Sequence, residues 1–487
     1  MLLFRSSFLG ACLLGPLVCV PASPAQQKPA QPSSQPASAP TQDQSAAPIP
    51  AYHSPLASQA DNSGQQTIED SQNVTPDNRS LAGAENLSLG SPETSRSYWQ
   101  PHVDVSATAN SNAFGYASGW TTYESIIAGV NVHKISGHSD LTIGYAGGAS
   151  LSSDGSTGDT PVQQLNFAER ITARRIVLSF LDNMYDFPQA YFGYGSLTGD
   201  TGAGLQGGLA PVTSVLTTRG QQITNSFITE ADVNLTPRSS FTVLGGYSLL
   251  HYFDNQPNLL NSSTVTAQAG YNRQVTAKDT LAVLYRFSDF QYSALNQSIN
   301  DHVVQLSYGR RVTGRLAFQV AAGPDYTLFQ TPILQNSLGT ASSISQLNWS
   351  ANASLTYQLR RASFRASYFH GVSAGSGVTA GSINDNVTTS FSRQLSRTVT
   401  GAINGGYARN QALAIPGFGI YSQDYDYAFG GVSLSRPWGR SLNLFLSYQA
   451  QYQFSNDAFC VGVTCGTSVV AHLISAGLHW QARPMLF

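Results

Sequence analysis

Along residues 239–254, 263–274 and 281–292 the chain places an apolar residue at nearly every second position. In the first of these stretches Phe241, Val243, Gly245, Tyr247, Leu249 and Phe253 share one phase, while Thr242, Gly246 and Ser248 lie mainly in the other. A period of two sends successive side chains to opposite faces of an extended strand. The spacing returns in Leu316, Phe318, Val320 and Ala322, and in Leu347, Trp349, Ala351, Ala353, Leu355 and Tyr357. It returns again in Leu442, Leu444, Leu446, Tyr448, Tyr452 and Phe454. Strands this long and this regularly joined predict an all-β fold, a transmembrane antiparallel β-barrel.

Short turns and longer loops alternate between these strands. The turns fall at 134–138, 173–174, 237–239, 276–279, 312–314, 360–361, 395–397 and 437–440. The loops fall at 114–120, 151–161, 187–220, 255–261, 294–300, 329–342, 371–382, 410–423 and 455–466. Together they join about 18 strands, with about 16 as the alternative count, and an even number leaves both ends on the short-turn side. The first strand is expected over 102–112. A soluble β-sandwich is the competing all-β fold, but its strands are usually shorter, about 5–6 residues. Aromatic rings also recur near strand ends, as at lipid–water boundaries: Tyr145, Tyr185, Tyr247, Phe253, Tyr285, Tyr308, Tyr357, Tyr368, Tyr407, Tyr448 and Tyr452.

Composition agrees with a barrel. Charged residues make up 11% of the 487 residues, against about 25% in a typical soluble domain. Lipid outside and neutral polar groups inside leave little need for charge. A formal net charge of −2 argues against a nucleic-acid partner, which would select a basic surface. After the N-terminus no apolar run approaches the length of about 18 residues that a membrane helix requires.

The N-terminal segments are of another kind. Residues 1–25 read as a secretory signal peptide, with Arg5 as the basic region, an apolar core over 8–20 and Ser23-Pro24-Ala25 at the cleavage site. Cys12 and Cys19 would leave with it. Residues 26–98 are rich in Gln, Pro, Ser and Ala and lack sustained apolar periodicity. They predict a disordered periplasmic arm, either a spacer or a segment that meets a periplasmic partner. Residues 99–487 form the expected barrel.

Phase assigns the few charges. Glu230 and Asp232 oppose Phe227, Ala231, Val233 and Leu235; Arg286 opposes Val283, Tyr285 and Phe287; Arg365 opposes Phe364, Ala366 and Tyr368. Asp424 and Asp426 oppose Tyr425, Tyr427 and Phe429, with a bulge expected at Gly430-Gly431 where the apolar phase shifts. Charge on a lipid face costs about 2–4 kcal/mol at the midplane, so all six residues are expected to line the lumen. Glu169, Arg170, Arg174, Arg175, Asp182 and Asp186 lie close together on an expected hairpin and suggest a luminal ion network.

The glycine-rich loop 187–220 is long enough to fold inward and narrow a pore. In an oxidising compartment Cys460 and Cys465 are expected to close the tip of the last long loop as a disulfide. Their spacing, without a neighbouring His or Cys, does not make a zinc site. No motif for catalysis, metal or cofactor binding is evident, so neither an enzyme nor a cofactor is expected.

Gln163-Gln164-Leu165-Asn166-Phe167, then Arg174-Arg175, residues 178–182 and Tyr185-Asp186-Phe187-Pro188, resemble a family of outer-membrane β-barrel porin-like proteins of Gram-negative bacteria. The likeness extends to Acidobacteria-type and exopolysaccharide-associated barrels. It implies an outer-membrane location and passage of a polar solute or saccharide; assembly by the outer-membrane barrel machinery is expected too, and the sequence leaves monomer and trimer both open. The terminal Phe487 is similar to the aromatic signal that machinery reads, although Pro484 interrupts its strand. The other expectation is a non-conducting barrel that anchors a polysaccharide-export assembly.

Overall fold

The computed structural model describes residues 97–111, 119–152, 160–188, 221–253, 260–293, 295, 297–330, 343–375, 379–413, 424–456 and 468–487. The expected signal peptide, the expected arm as far as residue 96, the expected loop 187–220 beyond Pro188, and both Cys460 and Cys465 therefore lie outside the described residues.

The described chain is one antiparallel sheet. Its strands are β1 (Tyr98–Asn110), β2 (Thr121–Ile135), β3 (Ser139–Ser152), β4 (Thr160–Thr172), β5 (Ile176–Pro188) and β6 (Gln221–Thr236). Next come β7 (Ser239–Tyr252), β8 (Ser262–Gln274), β9 (Asp279–Tyr292), β10 (Gln297–Arg311), β11 (Leu316–Gln330) and β12 (Ser343–Gln358). The last are β13 (Ala362–Ser373), β14 (Ser382–Gln394), β15 (Thr400–Ala412), β16 (Asp424–Trp438), β17 (Leu442–Ser455), β18 (Ser468–Gln481) and the two-residue β19 (Met485–Leu486).

Each of β1–β18 pairs with its sequence neighbours, β1 pairs back to β18, and the short β19 also lies against β1, so eighteen long strands close on themselves. Closure leaves no sheet edge running the height of the wall. The expected alternation of short turns and longer connections holds except between β9 and β10, where the loop expected over 294–300 is a four-residue link because β10 already begins at Gln297; β1 begins at Tyr98, four residues before the expected start.

Directly opposed residues of antiparallel strands point to the same side, so burial on one strand fixes the faces of the next. On β7 Thr242, Leu244, Ser248, Leu250 and Tyr252 are buried while Val243 and Tyr247 are exposed. The exposed set belongs to the outer face, which also carries Val265, Val283, Leu306, Ile403, Leu446 and Ile474. An apolar outer face on a closed antiparallel barrel is a lipid face, and it places the protein in the bacterial outer membrane. Among the described residues no helix is long and apolar enough to cross a membrane.

Two backbone details depart from a regular ladder. The β6–β7 pairing shifts between Asn234 and Thr236, next to their turn. At Gly323 a Cβ would lie 1.8 Å from the Val304 carbonyl oxygen, so only glycine fits there. The bulge expected at Gly430-Gly431 is absent: Gly431 opposes Asn404 and Gly430 opposes Gly405 without a break.

Candidate functional site, the inner wall of the barrel

The inner wall is mostly hydroxyl and amide. Across β6–β8, Thr242 Oγ1 donates to Asp232 Oδ1 at 2.5 Å, and Asn272 Nδ2 donates to Thr242 Oγ1 at 3.0 Å. Across β8–β12, Thr266 and Ser288 hydroxyls meet at 3.2 Å, Gln319 donates to Ser307, and Gln305 Nε2 donates to Ser350 Oγ at 3.0 Å. Ladders of this kind satisfy polar groups across strands without placing net charge on the wall.

Glu230 and Asp232 sit on this inner face, 2% and 1% exposed, opposite Leu244 and Thr242 of β7. Arg286 is also on it, with Nη2 3.7 Å from Asp301 Oδ2. Arg365 shares the inner face with its partners Thr356 and Ser390.

Asp424 and Asp426 do not. Tyr425, Tyr427 and Phe429 are the buried set of β16, which puts both carboxylates on the outer face. There Arg409 Nη2 lies 3.7 Å from Asp424 Oδ2, and Tyr407 Oη donates to Asp426 Oδ1 at 2.6 Å. These residues stand at the long-loop end of their strands, where a paired charge beside Tyr407 suits the headgroup layer rather than hydrocarbon. Without a bulge the phase runs unbroken to the exposed Val432 and Leu434, so the aromatic run that reads as a lipid face in the sequence lies on the inner face.

The hairpin charges also divide. Arg170 opposes Asp140 and Ser179 on the inner face. Glu169, Asp182 and Asp186 have the opposite phase: Ser139 donates to Glu169, Asn225 Nδ2 to Asp182 Oδ1 at 2.7 Å, and Gln221 Nε2 to Asp186 Oδ1 at 3.0 Å. Arg174 and Arg175 are exposed in the β4–β5 turn. The six do not form one luminal network, because residues adjacent along a strand face opposite ways.

Two inner-wall features escaped the sequence reading. Asp301 and Asp325 are 0% exposed, and Thr327 Oγ1 lies 3.3 Å from a carboxylate oxygen of each. Their signal was a carboxylate in phase with apolar neighbours, Ile299 and Val303 for Asp301 and Phe329 for Asp325. The second feature lies at the seam that closes the barrel. His479 Nδ1 and Asp104 Oδ1 are 2.5 Å apart, His102 Nε2 is 4.0 Å from Asp104 Oδ2, and Asn131 Nδ2 is 3.2 Å from His102 Nδ1. Only closure of the sheet brings residues 104 and 479 together. Among the described residues no group of His, Cys, Asp and Glu has the geometry to hold a metal.

One part of the wall forks. β12 pairs with β13 only through residues 351–358 and 363–370. Beyond that point 344–350 keep their β11 partners, and among the described residues no strand pairs on their other side. The freed end of β13 stays with β14, where Val372 opposes Ile383 and Ser373 opposes Ser382. This end turns into the barrel. Val372 and Ala374 pack with Phe290, Tyr292, Ile299 and Phe329 from β9–β11 and with Leu413. Tyr292 Oη donates to the Ala374 carbonyl at 3.1 Å. At the fork the Trp349 ring stacks on His370, centroids 3.8 Å apart, and His370 Nδ1 lies 2.7 Å from Asp385 Oδ1.

No protein-family model matches the chain, and no curated protein matches it. Solved structures of Pseudomonas aeruginosa outer-membrane proteins are similar in broad outline. OpdQ is 9% identical with a TM-score of 0.40, over 80% of this chain and 99% of that one. OccK9 (OpdG) is 11% identical with a TM-score of 0.41, over 80% and 98%. OccK2 (OpdF), whose structure includes glucuronate, is 9% identical with a TM-score of 0.39, over 80% and 98%. At these values the likeness assigns no solute and no residue role to this chain.

Proposed function

We propose that the protein is a porin-like outer-membrane channel for diffusion or export of polar solutes or saccharides. The observation that carries this reading is the inner wall itself: rows of Ser, Thr, Asn and Gln with few charges, Glu230, Asp232, Arg286 and Arg365 among them. Such a wall replaces the hydration of a neutral polar solute without holding it tightly, and selectivity then rests on width and the placement of a few charges. In this reading residues 1–25 direct export, the barrel machinery inserts the chain, the arm from residue 26 up to the start of β1 reaches into the periplasm, and Cys460 pairs with Cys465. Chemistry on the solute is not part of the proposal.

A second reading has an observation in its favour. Asp301, Asp325 and Glu230 are almost wholly buried, as in a packed interior. A barrel that anchors a polysaccharide-export assembly without conducting would look the same there.

Single-channel conductance of the refolded, signal-free protein in planar bilayers separates the two. The conduit reading expects stable open steps whose ion selectivity shifts in Arg365→Ala and stays unchanged in Asp426→Ala, an outer-face control. Correctly folded protein that leaves the bilayer silent would sink it and leave the anchor in its place.

A further inference from the structure

A strand in a barrel wall shields one face and exposes the other. The end of β13 does neither: Val372 and Ser373, neighbours of opposite phase, are 1% and 0% exposed. Gly371, Ala374, Gly375, Thr379, Gly381 and Ser382 are buried as well. Contact on both faces means that this hairpin end lies within the barrel, on an apolar pad built from Phe290, Ile299 and Phe329. Two glycines shape it, Gly375 at φ +77° and Gly381 at φ +80°. A Cβ at Gly381 would stand 2.5 Å from Ile299 Cδ1, so the absence of a side chain permits the docking.

Docking has a counterpart in the wall. Turning inward strips residues 344–350 of β12 of their neighbour, and unpaired backbone groups facing a bilayer are costly. The arrangement persists because apolar side chains are buried on the pad in exchange. The register leading up to the fork is already set, with Ala351 opposite His370. Continued outward, it would place Ser350 against Gly371, Trp349 against Val372, and Asn348 against Ser373.

We propose that the β13–β14 end, moving together with the β15 end to which residues 382–384 stay paired, is a hinged gate with two seats, the apolar pad inside the lumen and the open edge of β12. In the first seat it occupies the long-loop mouth of the barrel. In the second it completes the wall, and the mouth widens. The exchange trades apolar burial for ladder hydrogen bonds, and two packings of one segment that lie close in free energy can interchange. Gly371 serves as the pivot: it follows the last paired residue, and its Cβ position lies 3.0 Å from Ser350 Oγ. This regulation rests on the conduit reading above.

The test is a disulfide across the second seat, Asn348→Cys with Ser373→Cys, in full-length protein carrying Cys460→Ser and Cys465→Ser. Leu347→Cys with Ala374→Cys, one step further out, is the second pair should the first fail to fold. Cross-linking is read by gel mobility, independently of conduction. Oxidation is expected to form the bond and to raise single-channel conductance about twofold relative to the reduced protein, since pore width governs flow. Folded protein whose two thiols label with maleimide yet never cross-link would overturn the second seat. A bond that leaves conductance unchanged would overturn the gating role. Barrels silent in both redox states, cross-linked or not, would instead remove the conduit reading on which the gate rests.

Discussion

The seam and the fork are two places where the ladder between neighbouring strands is short, and the chain handles them in opposite ways. At the seam β1 pairs with β18 through residues 102–110 and 473–481, then β18 ends. The shortfall is repaired locally. Met485 and Leu486 pair with Trp99 and Tyr98, Gln100 Nε2 donates to the Ala482 carbonyl, and Ala482 N–H donates to Pro101. Polar groups then tie the inner face together through Asp104, His479, His102 and Asn131. At the fork nothing comparable is added to β12 among the described residues; the missing partner has gone inside. A break in a ladder can therefore be sealed as part of closure or kept open when another surface competes for the strand. An apolar pad decides which.

This contrast can be broken most severely with proline, which removes a backbone donor. Residues 103–109 of β1 are paired on both sides, so proline at each of them is expected to destabilise the barrel by about 1–3 kcal/mol for the carbonyl left unsatisfied. Across 344–350 of β12 the cost should alternate, falling close to zero wherever the N–H points to the open side. Heat-dependent gel mobility of refolded variants measures it. A uniform penalty along β12 would mean that its edge is paired after all.

Next in size is Gly381→Ala. Its positive φ and the crowding by Ile299 Cδ1 predict that the hairpin end loses its seat on the pad, at a cost of about 1–2 kcal/mol. The expected outcome is higher conductance with the barrel itself intact. An unchanged channel would show that the pad tolerates the added methyl.

The smallest effect is expected at the seam. Asp104→Asn exchanges a charge-assisted contact to His479 for a neutral one at a partly exposed site, and about 1 kcal/mol of stability is expected to be lost. Heat-dependent mobility should fall slightly, while conductance steps keep the gating pattern of the parent. If the seam variant altered gating and the fork variants did not, the two regions would have to exchange roles.

Alternation along the chain located the long strands and their turns and the outward phase of β7–β9, while leaving the count open between 18 and 16 and placing residues 297–300 of β10 in a loop; it succeeded because lipid selects apolar residues at every second position. It also led to Glu230, Asp232, Arg286 and Arg365 on the inner face. It misled at β16, where Tyr425, Tyr427 and Phe429 look like a lipid face yet lie inside. A period of two defines two faces but does not say which is inner once both carry rings. Near the loop end of a strand the headgroup layer also lifts the penalty that would otherwise keep Asp424 and Asp426 off the outside. The seam pairing of Asp104 with His479, the buried Asp301 and Asp325, and the inward turn of β13 all depend on contacts between residues far apart in the chain. Local periodicity carries no information about such contacts; closure of the sheet and competition between a strand edge and an apolar pad create them.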